Sequence, residues 1–159
     1  MAVSLSKGQT ISLEKSGGGI ARLHLGLGWD PVAKKKGLLG GLFGGGDSID
    51  LDASCIVVDA QKNVLDVVWF QSLNSKDGAI AHSGDNLTGE GDGDDESIKV
   101  DTTALNPAAQ HLIFLVSSFR GQTFDEVENA FCRVLDDAED TVVCQRNEGR
   151  FPMVWLVEL

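Results

Sequence analysis

The loop formed by residues 84–96 is the part of this chain that most constrains its fold. Between Asp85 and Glu96 it carries six carboxylates and three glycines, with no basic residue. Carboxylates packed this closely repel one another and raise one another's pKa values unless a cation lies among them. Calcium takes about six to eight oxygen ligands, and glycine lets the backbone fold around the ion. The loop therefore predicts a calcium-binding module.

The spacing of the loop excludes an EF-hand. If Asp85 were the first ligand, Leu87 would fall where an oxygen ligand is needed and Glu90 where glycine is needed. If Asp92 were the first ligand, Ser97 would take the glycine position. No pair of helices is predicted on either side of the loop, so the site belongs to another fold.

Short segments with strand patterns surround the loop. Residues 54–58 and 64–70 are rich in β-branched residues and are joined by a turn-rich segment, which predicts a hairpin. Residues 111–116 form a continuous apolar run, typical of a buried central strand. Two further segments, 10–13 and 22–27, alternate between apolar and other residues. The pattern predicts an all-β fold, a β-sandwich of two mainly antiparallel sheets.

One short helix is also predicted. Thr123 and Glu126 have the spacing of a capping box. Phe124, Val127 and Phe131 then follow helical spacing. We expect a short helix in this segment, followed by a strand.

Acidic residues from distant loops are expected to meet at one end of the sandwich, because the loops of this fold cluster at its two ends. Strand alternation places Asp50 and Asp52 on the face opposite Leu51. Asp30 ends an earlier predicted strand. Ligands that are all oxygens favour Ca²⁺ over zinc or copper, and Mg²⁺ is less suitable because it keeps its waters.

Composition limits the remaining possibilities. The 159 residues fit one domain, and the net charge of -11 argues against binding to nucleic acid or to an anionic membrane. Three scattered cysteines indicate reduced thiols and a cytoplasmic location. The first residues lack a signal-peptide pattern, and no apolar run is long enough to span a bilayer. His24 and His111 fit strand faces. His82 lies close to the acidic loop in the sequence; one alternative is that it tunes the charge of that loop, but we expect a polar loop residue.

No motif in the sequence predicts catalysis. The GxSxG and Walker A patterns are absent. Acidic clusters also bind two metals in phosphoryl-transfer enzymes, so a metal-dependent phosphohydrolase is one alternative. A second alternative is an interaction module in which calcium is a structural staple and the glycine-rich residues 34–46 form a contact. A phosphohydrolase would hydrolyse its substrate with Mg²⁺ or Mn²⁺. A protein in which calcium is a structural staple would keep its calcium ion bound and show no such turnover.

Several motifs resemble those of the TerD family of tellurite-resistance and stress proteins. The longest is GDNLTGEGDGDDESIKVD at residues 84–101, and the resemblance runs in collinear order over residues 1–143. The shorter matching segments are SLSKG at 4–8, LGLGWD at 25–30, IDLDAS at 49–54 and GQTFDEVENAFCRV at 121–134.

The resemblance implies a β-sandwich that binds two calcium ions among the loops at one end. It implies a bacterial cytoplasmic protein from gene clusters linked to resistance to tellurite, phage and colicins, acting as a sensor or scaffold with other proteins of a stress complex. It implies no catalytic activity. The candidate metal ligands that it carries over, some of which orient others, are Asp30, Asp50, Asp52, Asp85, Asn86, Thr88, Gly89, Glu90, Asp92, Asp94, Asp95 and Glu96.

The chain departs from the family pattern in two places within its single predicted domain, residues 1–159. Residues 34–46 form a Gly/Lys-rich insertion, expected to be a surface loop. Residues 144–159 do not match the family's usual final strands, and truncation is one explanation of this atypical end. A missing final hairpin would uncover a sheet edge. The apolar tail is expected to fill part of that gap, at some loss of stability.

Overall fold

Several strands of this chain alternate between buried and more exposed residues, as strands with one face in the core do. In the computed structural model, the described residues are 3–4, 10–12, 19–30, 49–89, 93–120, 127–137, 141–146 and 153–159. Over these ranges the chain forms β-strands and no helix. The strands are β1 Val3–Ser4, β2 Thr10–Ser12, β3 Arg22–Asp30, β4 Leu51–Val58, β5 Val64–Val68, β6 Ile80–His82, β7 Glu96–Asp101, β8 His111–Ser118, β9 Glu128–Asp136, β10 Thr141–Arg146 and β11 Met153–Glu158.

The strands form two sheets. The first sheet has the order β1-β10-β9-β3-β7-β6, and the second has the order β2-β11-β8-β4-β5. Neighbouring strands are antiparallel except at one edge of each sheet, where β1 pairs with β10 and β2 with β11 in parallel. The predicted all-β fold with mainly antiparallel sheets is therefore confirmed, as is the hairpin of β4 and β5.

The core lies between the two sheets. Alternate residues of β3 and β8, such as Leu25 and Phe114, are fully buried. Removing a buried side chain the size of Phe114 typically costs about 3–5 kcal/mol. The predicted central position of residues 111–116 is confirmed, because β8 lies between β11 and β4. Only one face of β8 is fully buried, since Ile113 and Leu115 remain partly exposed.

The predicted helix is wrong where it can be compared with the structure. Val127 directly precedes β9, and Phe131 lies within it. Strand β9 pairs with β3 on one side and with β10 on the other. Ala130 and Cys132 are buried while Phe131 is partly exposed, so the segment follows the period of a strand. Pairing with two strands outweighs local helical preference. The predicted cap, residues 123–126, lies outside the described residues.

Across the described ranges, the structure contains no candidate for a membrane-spanning helix.

Strand β11 completes the second sheet. It pairs with β8 and with β2, and it buries Met153, Trp155 and Val157 in the core. The apolar tail therefore occupies a place in the sandwich. The predicted insertion at residues 34–46 lies outside the described ranges.

Candidate metal site

Three aspartates form an acidic cluster at one end of the sandwich. Asp50 and Asp52 lie on either side of Leu51, which is fully buried. Asp85 reaches them from the loop between β6 and β7. One carboxylate oxygen of each lies within 4.8 Å of the others. The predicted meeting of separate acidic segments is thus confirmed for this cluster, which we call the aspartate triad.

The aspartate triad has the charge distribution of a cation site. Asp50 and Asp52 are only 6% and 7% exposed, and Asp50 Oδ1 is buried without a hydrogen-bond partner. Burial and, to a smaller extent, the charges of Asp50 and Asp85 together raise the pKa of Asp52 to about 6. Burial and Asp85 also raise the pKa of Asp50, against the lowering effect of Arg120. A bound cation would satisfy the free oxygen and offset this repulsion.

The spacing of the aspartate triad fits calcium. Calcium–oxygen distances are about 2.3–2.6 Å, so two ligands on opposite sides of one ion are roughly 5 Å apart. The three aspartates could therefore contact one ion together. They supply only hard oxygen donors, which suits calcium better than zinc or copper.

Glu96 is the first residue of β7 and is completely buried. Its Oε2 accepts the Ala53 N–H at 2.9 Å, and its Oε1 accepts the Asn86 N–H at 3.1 Å. Burial raises the pKa of Glu96 to about 8, with contributions from Asp52 and Asp85, while the two hydrogen bonds act in the opposite direction. Glu96 thus ties the acidic loop to the strand that carries Asp52.

A second acidic group lies on the β3 side of the loop. Asp95 Oδ2 accepts the Trp29 N–H at 2.8 Å, and its Oδ1 accepts a hydrogen bond from Asn86 Nδ2 at 3.0 Å. Burial raises the pKa of Asp95, and the nearby charges of Asp30 and Asp94 raise it further. Because the Asn86 N–H also bonds Glu96, Asn86 links the second group to the aspartate triad.

Asp94 is paired with the cationic side chain of Arg133 and lies close to His24. Arg133 Nη2 lies 3.0 Å from its Oδ1, and His24 Nε2 lies 3.2 Å from its Oδ2. A Cβ at Gly26 would overlap this carboxylate, so the absence of a side chain there leaves room for it. Unlike the triad aspartates, Asp94 therefore has its charge balanced by the protein. Asp30 likewise has a partner, since its Oδ2 accepts a hydrogen bond from Asn129 Nδ2 at 2.5 Å.

Gly89 fixes the loop against Trp29. Its φ is 66°, and a Cβ at this position would overlap the Trp29 indole ring. The same indole donates from Nε1 to the Ile49 carbonyl at 3.2 Å, next to Asp50. Only glycine combines this backbone angle with this close approach.

The remaining predicted ligands fall into two groups. Thr88 and Gly89 donate their backbone N–H groups to Asn86 Oδ1, which closes the turn that follows Asp85. Glu90 and Asp92 lie outside the described residues. Ligation of a metal by any of the twelve predicted residues stays a prediction.

His82 is the residue that the sequence interpretation missed. It was predicted to be a polar loop residue, but it is the last residue of β6 and is only 6% exposed. Burial lowers the pKa of its imidazole, against the effects of Ala53 and Asp85. The available signal was alternation in residues 80–82, which places His82 on the same face as the buried Ile80.

Comparisons with known proteins agree with this fold. The TerD domain matches residues 1–148. Tellurium resistance protein TerZ of Serratia marcescens is 61% identical over 134 residues, which cover 84% of this chain and 69% of that protein. Stress response protein SCP2 of Bacillus subtilis is 40% identical over 154 residues, covering 92% and 77% respectively. The crystal structure of a TerD homologue from Streptomyces coelicolor has a TM-score of 0.66 at 24% identity, covering 81% of this chain and 72% of that one.

Proposed function

Because this chain belongs to the TerD family, we propose that it is a non-enzymatic calcium-binding protein of a bacterial tellurium-resistance or stress response. The observation that carries the proposal is the aspartate triad, with the buried and unpaired Asp50 Oδ1. In this proposal the protein works in the cytoplasm as a sensor or scaffold, with other proteins of a stress complex as partners. The names of its relatives describe resistance and stress proteins, which supports the setting.

The environment of His82 favours binding over catalysis. Many hydrolases use a general base near the reacting water, and imidazole is the side chain most often used. The His82 ring lies beside the triad, but Nδ1 accepts the Gly84 N–H and Nε2 contacts the Ala53 carbonyl. Neither nitrogen is therefore free to accept a proton from an attacking water. This observation speaks against the phosphohydrolase alternative.

Calcium titration of chelator-treated protein tests the proposal. We expect binding heat in calorimetry and a higher melting temperature, because a ligand that binds only the folded state stabilises it by roughly 2.7 kcal/mol at a hundred times Kd. An affinity in the micromolar range would favour a sensor, and much tighter binding would favour a staple. The matched control is MgCl₂ at the same concentration. Absence of both calcium heat and a melting shift would contradict the proposal.

The stability of the metal-free protein should fall as pH rises. The folded-state pKa of Asp52 is raised to about 6 from 3.8, so its stabilising contribution is complete below about pH 4 and is lost as pH rises through about 6. The loss is on the order of 1–3 kcal/mol. Calcium binds the ionised form, so the calcium-saturated protein should not show this loss.

Melting curves with chelator and with excess calcium, recorded between about pH 4 and pH 7, check this dependence. The difference between the two melting temperatures should widen as pH increases. Asp52→Asn should remove the part of the widening that comes from the Asp52 carboxyl group. Parallel curves across the range would show that Asp52 does not titrate with metal binding.

A further inference from the structure

Strand β4 has an open stretch of backbone beside the aspartate triad. The register of β5 with β4 reaches Cys55 paired with Val68, after which Trp69 and Ser72 hydrogen-bond to each other in a turn. Both backbone groups of one residue in an antiparallel strand face the same side. The N–H and carbonyl groups of Ala53 therefore face a position where β5 has already turned away and cannot pair with them. A buried backbone group needs another partner in such a place.

Two side chains from the other sheet supply those partners. Glu96 Oε2 accepts the Ala53 N–H at 2.9 Å, and His82 Nε2 lies 3.1 Å from the Ala53 carbonyl oxygen. The side chains of both residues are completely buried. Ala53 directly follows Asp52, so these contacts fix the backbone at the position from which Asp52 projects.

The same two side chains also hold the acidic loop. His82 Nδ1 accepts the Gly84 N–H at 2.9 Å, and Glu96 Oε1 accepts the Asn86 N–H at 3.1 Å. Gly84 precedes Asp85 and Asn86 follows it. Asp85 is therefore held on both sides through side chains that are bonded to Ala53.

The contacts fix the chemical form of the His82 ring. An N–H only donates and a carbonyl oxygen only accepts, so Nδ1 is bare and Nε2 carries the proton. The ring is a neutral connector with both nitrogens engaged. It cannot serve as a metal ligand without breaking one of its two hydrogen bonds.

We propose that His82 is a positioning residue of the metal site, which holds Asp85 opposite Asp50 and Asp52 through the Gly84 N–H and the Ala53 carbonyl. The inference rests on the proposed calcium binding and adds the residue that fixes the spacing of the ligands. Positioning groups of this kind matter because small shifts in ligand placement weaken a metal site.

Two variants test separately the two hydrogen bonds that the His82 ring makes. His82→Gln places an amide nitrogen near the position of Nε2, so it keeps the donor to Ala53 and leaves the Gly84 N–H unpaired. His82→Asn places an amide oxygen near Nδ1, so it keeps the acceptor for Gly84 and loses the donor to Ala53. We expect calcium affinity, measured with CaCl₂ well below the melting temperature, to fall about tenfold in each variant. His111→Gln, at a partly exposed strand position of the second sheet, is the matched control and should bind as the unchanged protein does.

A double-mutant cycle distinguishes positioning from general stability. If His82 acts by placing Asp85, His82→Gln should change calcium affinity by less than about twofold in an Asp85→Asn background. A purely structural role would give additive losses, or a lower melting temperature of the metal-free protein with unchanged affinity, and either result would overturn the inference. Unchanged affinity in both His82 variants would overturn it and leave the proposed function intact. Absence of calcium binding by the unmodified protein would overturn both.

Discussion

Asp52→Asn should weaken calcium binding about a hundredfold or more while raising the melting temperature of the metal-free protein. Asparagine keeps the shape of the side chain but removes one charge from the aspartate triad. Loss of one charged ligand lowers calcium affinity, and a hundredfold change corresponds to about 2.7 kcal/mol. Without metal, the same change removes a buried charge and its repulsion with Asp50 and Asp85. Burial first, and then this repulsion, raise the pKa of Asp52 in the unmodified protein. We expect a gain in stability of about 1 kcal/mol.

Calorimetry with calcium and melting curves in chelator measure the two effects in the same samples. Glu158→Gln is the matched control, because Glu158 is an exposed carboxylate of β11 and its removal changes the net charge equally. The control should change neither quantity appreciably. A metal-free Asp52→Asn protein that is less stable than the unmodified chain would show that the carboxylate is held by favourable contacts, contrary to the proposed site.

Gly89→Ala should reduce the free energy of unfolding by about 3 kcal/mol. About 1 kcal/mol comes from the φ of 66°, which disfavours any side chain, and the rest from overlap of the new Cβ with the Trp29 indole. Because the Trp29 Nε1 also bonds the Ile49 carbonyl next to Asp50, calcium affinity should fall as well.

Gly78→Ala isolates the contribution of that packing. Gly78 has a similar φ of 75°, but a Cβ there would meet nothing within 4 Å. Its substitution should cost only about 1 kcal/mol in urea denaturation. Equal losses for the two variants would mean that backbone conformation alone explains the glycine at position 89.

The sequence predicted those parts of the site that depend on local periodicity. Alternation in residues 49–53 predicted that Asp50 and Asp52 share one face, and their carboxylate oxygens do lie within 4.8 Å of each other. It could not assign a partner to Asp94, since Arg133 approaches from a strand 39 residues away. Counting charges in a loop does not show which of them the fold balances.

The position of His82 depended on where a strand ends. Its role follows from the turn at Trp69 and Ser72, which leaves Ala53 to be paired from the other sheet. The helix prediction failed for a similar reason, because β9 takes its conformation from pairing with β3 and β10 rather than from its own spacing. In both segments, pairing with strands that are distant in the sequence determines the conformation. Patterns of neighbouring residues do not show which distant strands will pair.

The parallel strands at the edges of the two sheets determine the order in which this protein can finish folding. β1 pairs with β10 and β2 pairs with β11, so each of these pairs joins segments that lie far apart in the sequence. Contacts between residues so far apart in the chain form slowly, and unpaired edges stay exposed until they do. The segments that carry the aspartate triad lie between these paired edge strands in the sequence. The two parallel pairs are therefore expected to form late in folding, after the antiparallel strands between them in the sequence have paired.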